Sequence, residues 1–191
     1  MGWLLISTQP IYAQDHPAFE KIRDVSPDGK FGLRISFSSE PEDPDDIDSS
    51  LITAVDLVSL PSKKVVTNVG EESTPPHLIW SPDSKWVAFP FSEGHRITYT
   101  RVYHFSDDDF VSMVRENEEL LVPIKGDVRN EYLTPVRWLK PGVLLLEQQD
   151  ILRGGEGEDV YYRFTVKFGD QPGKFHVISK QKVRSKEEPI L

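Results

Sequence analysis

A Ser-Pro-Asp turn signal occurs twice in this chain, and this repetition limits the possible folds more than any other feature. "VSPDGKF" contains the first copy, starting at Val25, and "WSPDSKW" contains the second, starting at Trp80. Proline at the second position of a turn and an aspartate after it both favour chain reversal. Because an apolar run follows each turn, the phrase predicts a repeated β unit.

A weaker third copy, "VRWLKPGVLLLE", lacks the serine and the aspartate but keeps a tryptophan, Trp138. After each copy the sequence indicates a strand, a turn and another strand. Apolar residues alternate from Tyr162 to Phe168 in the third unit, which is typical of a half-buried antiparallel strand. We therefore predict an all-β fold of three repeated four-stranded antiparallel units, over about residues 24–70, 77–125 and 133–183.

The residues of the repeated turns and the nearby tryptophans are predicted to be structural. An indole buries a large apolar area, so packing between sheets is the first interpretation and ligand stacking the second. The predicted turn and core residues are Ser26, Pro27, Asp28, Trp80, Ser81, Pro82, Asp83, Trp86 and Trp138.

The segments "WSPDSKWVAF" and "VSPDGKFGLRI" resemble the repeat of TolB-type β-propellers, a Trp-Ser-Pro-Asp-Gly-Lys turn followed by an apolar strand. The resemblance is confined to these two motifs. It implies four-stranded blades and a role in binding another envelope protein. A closed propeller needs at least about four blades. Three units therefore leave an open partial propeller, a propeller completed by a second chain in a homo-oligomer, or a β-sandwich.

The N-terminal segment "MGWLLISTQPIYAQ" looks like a signal peptide without its basic front, because the first basic residue is Lys21. We interpret residues 1–13 as truncated signal-like sequence and residues 14–191 as one all-β domain, either periplasmic or secreted. The alternative is an ordinary cytosolic N-terminus. No apolar run reaches the roughly 18 residues of a membrane helix, so we predict no membrane span.

Charge and composition exclude several functions. The net charge of −9, from 31 acidic and 22 basic residues, repels nucleic acid. The chain has no cysteine, which excludes thiol nucleophiles and cysteine-bound metals. Its five histidines have no close ligand spacing, and no Gly-x-Ser-x-Gly nucleophile motif occurs. We predict no cofactor.

Two acidic loops are the candidate binding regions, "SEPEDPDDIDSS" and the segment that begins at Asp150, "DILRGGEGEDV". Each would connect the second and third strands of its unit, so the two loops would share a rim. They could hold Ca²⁺, contact a basic partner, or remain solvated. The first loop lacks the spacing of a dedicated calcium loop, and we predict no metal site. The candidate residues are Glu42, Asp43, Asp45, Asp46, Asp48, Glu156, Glu158 and Asp159.

Basic residues near the C-terminus alternate along the last predicted strand, as in Lys180 and Lys182. Such residues commonly protect an exposed sheet edge, although they could also contact an acidic surface. His104 is predicted to be a half-exposed strand residue.

We expect a non-catalytic interaction or ligand-binding module outside the cytoplasm, with another envelope or secreted protein as its partner. The alternative is a hydrolase acting on carbohydrate or peptide through the acidic loops. The sequence contains no recognisable set of catalytic residues, which favours the binding module.

Overall fold

The computed structural model describes residues 19–42, 48–70, 75–115, 118, 120–153 and 159–185. Within these ranges the chain forms strands and one 3₁₀ turn, Ser49–Leu51. The strands are β1 (Phe19–Arg23), β2 (Phe31–Phe37), β3 (Ile52–Ser59), β4 (Val65–Gly70), β5 (Ile79–Trp80), β6 (Trp86–Glu93), β7 (Ile97–Ser106), β8 (Asp109–Ser112), β9 (Val128–Lys140), β10 (Val143–Leu152), β11 (Asp159–Phe168) and β12 (Phe175–Val183).

The strands form a four-stranded sheet and an eight-stranded sheet. The first has the order β1-β2-β3-β4, and the second has the order β12-β11-β10-β9-β7-β6-β5, with β8 also paired to β7. Every pair is antiparallel except β7 with β9, which are parallel over two residue pairs. The prediction of an all-β, antiparallel fold is confirmed. Three separate four-stranded sheets are not, because the start of β9 pairs with the start of β7 and joins eight strands into one sheet.

No helix in the described part of the chain has the length and apolarity needed to cross a membrane. Residues 1–13, which we interpret as signal-like, lie outside the described residues.

The first Ser-Pro-Asp turn connects β1 to β2 and is held by a buried serine. The Ser26 hydroxyl donates to Oδ1 of Asp28 (2.7 Å) and accepts from the backbone N–H of Phe31 (3.0 Å). Gly29 follows with a φ of 73°, in the left-handed region that glycine adopts without strain. Serine and aspartate therefore act as one unit that closes the turn and starts the strand. Pro27 lies between them.

The second turn, from β5 to β6, repeats these contacts. The Ser81 hydroxyl donates to Oδ1 of Asp83 (2.5 Å) and accepts from the backbone N–H of Trp86 (3.0 Å), and Pro82 lies between the serine and the aspartate. Ser84, with a φ of 60°, takes the place of the glycine. Its hydroxyl accepts from the backbone N–H of Asp28 in the first turn (3.0 Å), so the two turns contact each other.

Strand β6 lies between the two hydrophobic cores of the protein. Val87 and Phe89 point to the four-stranded sheet, whereas Trp86 and Ala88 point to β9, β10 and β11. Period-two alternation of side chains explains this division. The core toward the four-stranded sheet includes Phe31, Leu33, Ile35, Phe37, Val55, Leu57, Val69, Leu78 and Phe110. The other core includes Val102, Met113, Leu133, Trp138, Leu144, Leu146, Phe164, Val166 and Phe168.

Two tryptophans make equivalent hydrogen bonds along the chain. The indole N–H of Trp80 donates to the carbonyl of Asp24 (2.7 Å), and the indole N–H of Trp138 donates to the carbonyl of Ile79 (2.8 Å). Asp24 and Ile79 each lie two residues before a turn serine. The same contact therefore links β1 to β5 and β5 to β9.

Two buried ion pairs join neighbouring strands, one between β2 and β3 and one between β10 and β11. Arg34 on β2 contacts Asp56 on β3 at 2.8 Å, and Arg163 on β11 contacts Glu147 on β10 at 2.9 Å. All four side chains are at most 9% exposed. These residues alternate with core residues, so the pairs lie on the faces that point away from the two cores.

Candidate functional site

A cavity of about 1170 Å³ lies beside the middle of β7. It exists because the neighbouring strands leave a gap. Strand β8 pairs with β7 only from Tyr103 onward, and β9 pairs only with Ile97 and Thr98. The edge of β7 between these points has no strand beside it. The opposite wall is formed by described residues that lie between β7 and β9 in the sequence, namely Ser112, Val114, Arg115, Glu118, Leu120 and Leu121.

The cavity combines aromatic, aliphatic and charged side chains. Aromatic residues come from the β6–β7 hairpin, in which Phe91 pairs with Tyr99 across the two strands. Aliphatic residues come mostly from the segment after β8. The principal lining residues are Phe91, Tyr99, Tyr103, Val114, Leu120, Leu121 and Leu133, with the charged residues Glu93, Arg101, Arg115 and Glu118. The lining is about equally polar and apolar, so the cavity offers both apolar contacts and hydrogen-bonding groups.

Arg101 is the distinctive charged residue of the cavity. Its guanidinium lies over the ring of Phe91, 3.4 Å from the ring centroid, in a cation–π contact. No hydrogen bond or ion pair joins this guanidinium to any residue that the structure describes. Arg115, in contrast, faces Glu118 at 3.8 Å. Arg101 therefore presents donors to the cavity that the described protein does not use.

The predicted acidic loops are described only in part. Asp43, Asp45, Asp46, Glu156 and Glu158 lie outside the described residues.

The three described members of the candidate set, Glu42, Asp48 and Asp159, do not line the cavity. Asp48 accepts the backbone N–H of Ser50 (2.9 Å), and hydrogen bonding from Ser50 holds the pKa of this carboxyl below its usual range. Asp159 accepts from the side chains of Gln149 and Tyr161, each at 2.9 Å. Among the described residues, no three carboxylates or histidines lie together as a metal site.

Asp150, which we placed at the start of the second acidic loop, is instead a buried residue of β10. One carboxylate oxygen accepts from the Gln148 amide (2.7 Å), and the other has no hydrogen-bond partner. Burial raises the pKa of this carboxyl. Gln148 also bonds both the N–H and the carbonyl of Val122, which holds the segment after β8 against β10. Asp150 is thus part of the core rather than of a rim.

The predicted basic strand is β12, an edge strand of the eight-stranded sheet. Lys180 and Lys182 are exposed, and so are the apolar residues Val177 and Ile178. The ammonium group of Lys180 lies 5.6 Å from the ring centroid of Tyr162.

His104 lies on β7 and stacks on Trp86, with ring centroids 4.1 Å apart. Burial lowers the pKa of His104, and the positive charge of Lys85 adds to this effect, whereas Asp83 and Asp170 oppose it. Folding therefore favours the neutral form of the His104 imidazole.

We expect this difference to make stability depend on pH. The unfolded histidine, with its ordinary pKa of 6.5, binds protons more readily than the folded one. The contribution of the neutral His104 imidazole to the free energy of unfolding is therefore complete above about pH 6.5. It is lost as the pH falls toward the pKa of His104 in the folded protein. Denaturant unfolding between pH 7.5 and pH 5 should show a smaller slope in His104→Phe, which keeps the ring stack but cannot titrate. The exposed His176→Phe variant is the control, and an unchanged slope in His104→Phe would contradict the assignment.

Neither Arg101 nor the cavity is predicted from the sequence. One signal was present, because Arg101 interrupts the aromatic face formed by Tyr99, Tyr103 and Phe105 on β7. The gap itself depends on where β8 ends and where β9 joins, and no local pattern indicates that. Trp80, Trp86 and Trp138 lie in or against the cores and not among the cavity residues.

Comparison of the chain with models of protein families and with curated proteins finds no match.

Proposed function

We propose that this chain is a non-catalytic binding module built of three blade-like four-stranded units, and that the cavity beside β7 is its ligand site. The units are β1–β4, β5–β8 and β9–β12. Within each unit, consecutive strands are antiparallel neighbours, and only two residue pairs join β7 to β9. The repeated serine turns and the repeated indole contacts support this division. They also agree with the resemblance to TolB-type repeats.

The observation that carries the proposal is the cavity. Ligand pockets commonly have volumes of about 300 to 1,000 Å³, and this cavity, at about 1170 Å³, is slightly larger. The cavity lies in the second unit, between β8, which pairs with β7 only from Tyr103 onward, and β9, which pairs only with Ile97 and Thr98. Its walls come from the β6–β7 hairpin on one side and from described residues between β8 and β9 on the other.

A hydrolase that uses the acidic loops has less support. The described loop carboxylates Asp48 and Asp159 are engaged in hydrogen bonds with their own neighbourhood. We also propose that the module functions in the periplasm or outside the cell and that the acidic rim contacts a partner protein there, as the sequence suggests. Fractionation of the source cells tests the location.

A cavity-filling variant tests the ligand site. Ser112 is an exposed cavity residue of β8, and we expect Ser112→Trp to fill the space without changing the cores. The matched control is Ser179→Trp, an exposed strand serine on β12 outside the cavity. Saturation-transfer NMR with a set of neutral, cationic and anionic fragments should detect ligands of the unmodified protein. Ser112→Trp should lose them and Ser179→Trp should keep them. If no fragment binds, or if both variants bind equally well, the cavity is not a ligand site.

A further inference from the structure

We infer that the ligand carries a carboxylate group on an apolar body and that Arg101 binds this carboxylate. The inference rests on the proposed function, because it concerns the same cavity. It starts from Arg101, which stacks on Phe91 and makes no hydrogen bond to the residues that the structure describes.

The position of Arg101 is fixed by the hairpin. It pairs with Phe89 across β6 and β7, and Phe91 lies diagonally opposite. The guanidinium carbon of Arg101 lies 3.4 Å from the centroid of the Phe91 ring, a distance at which the guanidinium stacks on the ring face. A stacked guanidinium uses its face and leaves its N–H groups directed outward in the plane. The edge of Arg101 is thus prepared for a planar acceptor before any ligand arrives.

The surrounding charges favour a single carboxylate over a polyanion. Among the described residues that line the cavity, Arg101 has no ionic partner, whereas Arg115 lies near Glu118. Glu93 and Glu118 also line the cavity and would repel a second negative group. A carboxylate matches the fork of donors in a guanidinium through two parallel hydrogen bonds. One negative charge with planar geometry therefore fits best.

The remaining walls indicate the body of the ligand. Tyr99 and Tyr103 extend the aromatic surface on β7, and Leu120, Leu121 and Leu133 close the other side. An aromatic or branched aliphatic group beside the carboxylate would cover these side chains. Two sources supply this chemistry, a free small carboxylic acid and the C-terminal residue of a peptide.

The experiment compares acids with their uncharged amides. The small probes are N-acetylphenylalanine and N-acetylphenylalaninamide, and the peptide probes are Gly-Gly-Gly-Ala-Phe with a free or an amidated C-terminus. Affinity is measured by NMR titration at low salt. We expect each acid to bind more tightly than its amide by about 10- to 100-fold, the usual range for hydrogen bonds to a charged group. Tighter binding of the peptide acid would identify a peptide C-terminus, and tighter binding of N-acetylphenylalanine would identify a free acid.

Three variants test whether Arg101 binds the carboxylate. Arg101→Met keeps an apolar side chain over Phe91 and should reduce binding of the acid to the level of the amide. Arg101→Lys keeps the charge but not the fork and should recover only part of the affinity. Arg137→Met removes an exposed arginine outside the cavity and should change nothing. Amide-proton spectra of each variant verify that it is folded.

The outcomes separate this inference from the proposed function. If acids and amides bind equally, or if Arg101→Met binds the acid as well as the unmodified protein does, the carboxylate assignment is wrong. The cavity would then still be a ligand site if Ser112→Trp blocks binding. If the four probes fail while other fragments bind, the ligand class is wrong and the proposed function stands. If no compound binds at all, both are wrong.

Discussion

Replacing Asp56 by alanine should lower the free energy of unfolding by about 3 to 5 kcal/mol, the usual result of removing one member of a buried ion pair. Asp56 contacts Arg34 at 2.8 Å and also accepts from the Asn68 amide at 3.1 Å. Without it, the Arg34 guanidinium would remain buried with an uncompensated charge. Its Nε already has no hydrogen-bond partner, so the protein has little capacity to replace the lost contact.

Urea unfolding, followed by far-ultraviolet circular dichroism at pH 7, measures the effect. The matched control is Asp127→Ala, which removes the carboxylate of an exposed pair with Arg153 at 3.7 Å. Asp127 is 74% exposed, and we expect a change within about 1 kcal/mol. The double variant Arg34→Met with Asp56→Leu should recover most of the stability, because two apolar residues leave no buried charge. A loss of less than about 1 kcal/mol in Asp56→Ala would show that the pair contributes no more than a surface contact.

The two ion pairs occupy equivalent positions in the two sheets. Strand β2 places Leu33 and Ile35 toward the core and Arg34 away from it. Strand β10 does the same with Leu146 and Glu147. Because all four charged side chains are buried, each charge depends on its partner for compensation.

The fold class could be predicted from the sequence because it depends on local patterns. Alternation from Tyr162 to Phe168 correctly gave the inward face of β11, where Phe164 and Val166 are fully buried. The contacts of Ser26 and Ser81 follow from the short-range chemistry of serine, aspartate and proline in turns.

The parts that could not be predicted depend on contacts between distant segments. The sequence does not indicate that Glu131 and Tyr132 pair with β7 in parallel, and this pairing joins β5–β8 and β9–β12 into one eight-stranded sheet. The same limitation applies to the cavity, which exists because β8 and β9 leave part of β7 uncovered. The prediction that Asp150 belongs to an acidic loop is wrong for a related reason. Its position beside an acidic loop suggested exposure, whereas β10 continues through it to Leu152 and buries it.

The second large effect is expected at Trp86, the first residue after the second serine turn. Its indole stacks on His104 and also contacts the rings of Trp138 and Phe168, with centroid distances of 5.7 and 5.9 Å. Trp86 is 6% exposed. Replacement by alanine would remove this surface and leave a space between β6 and strands β9 to β11. Such changes cost about 3 to 5 kcal/mol.

The comparison with Trp80→Phe makes the Trp86→Ala test specific. Trp80 is only partly buried, and phenylalanine keeps an aromatic ring beside Phe31 while losing the hydrogen bond to the carbonyl of Asp24. We expect this variant to lose about 1 kcal/mol. Trp86→Ala should also reduce the pH dependence attributed to His104, because removal of the indole exposes the imidazole to water and returns its pKa toward the ordinary value. Urea unfolding at pH 7.5 and pH 5 measures both effects. If Trp86→Ala loses no more stability than Trp80→Phe, the core around Trp86 does not depend on the indole, and other contacts hold β6 to strands β9 to β11.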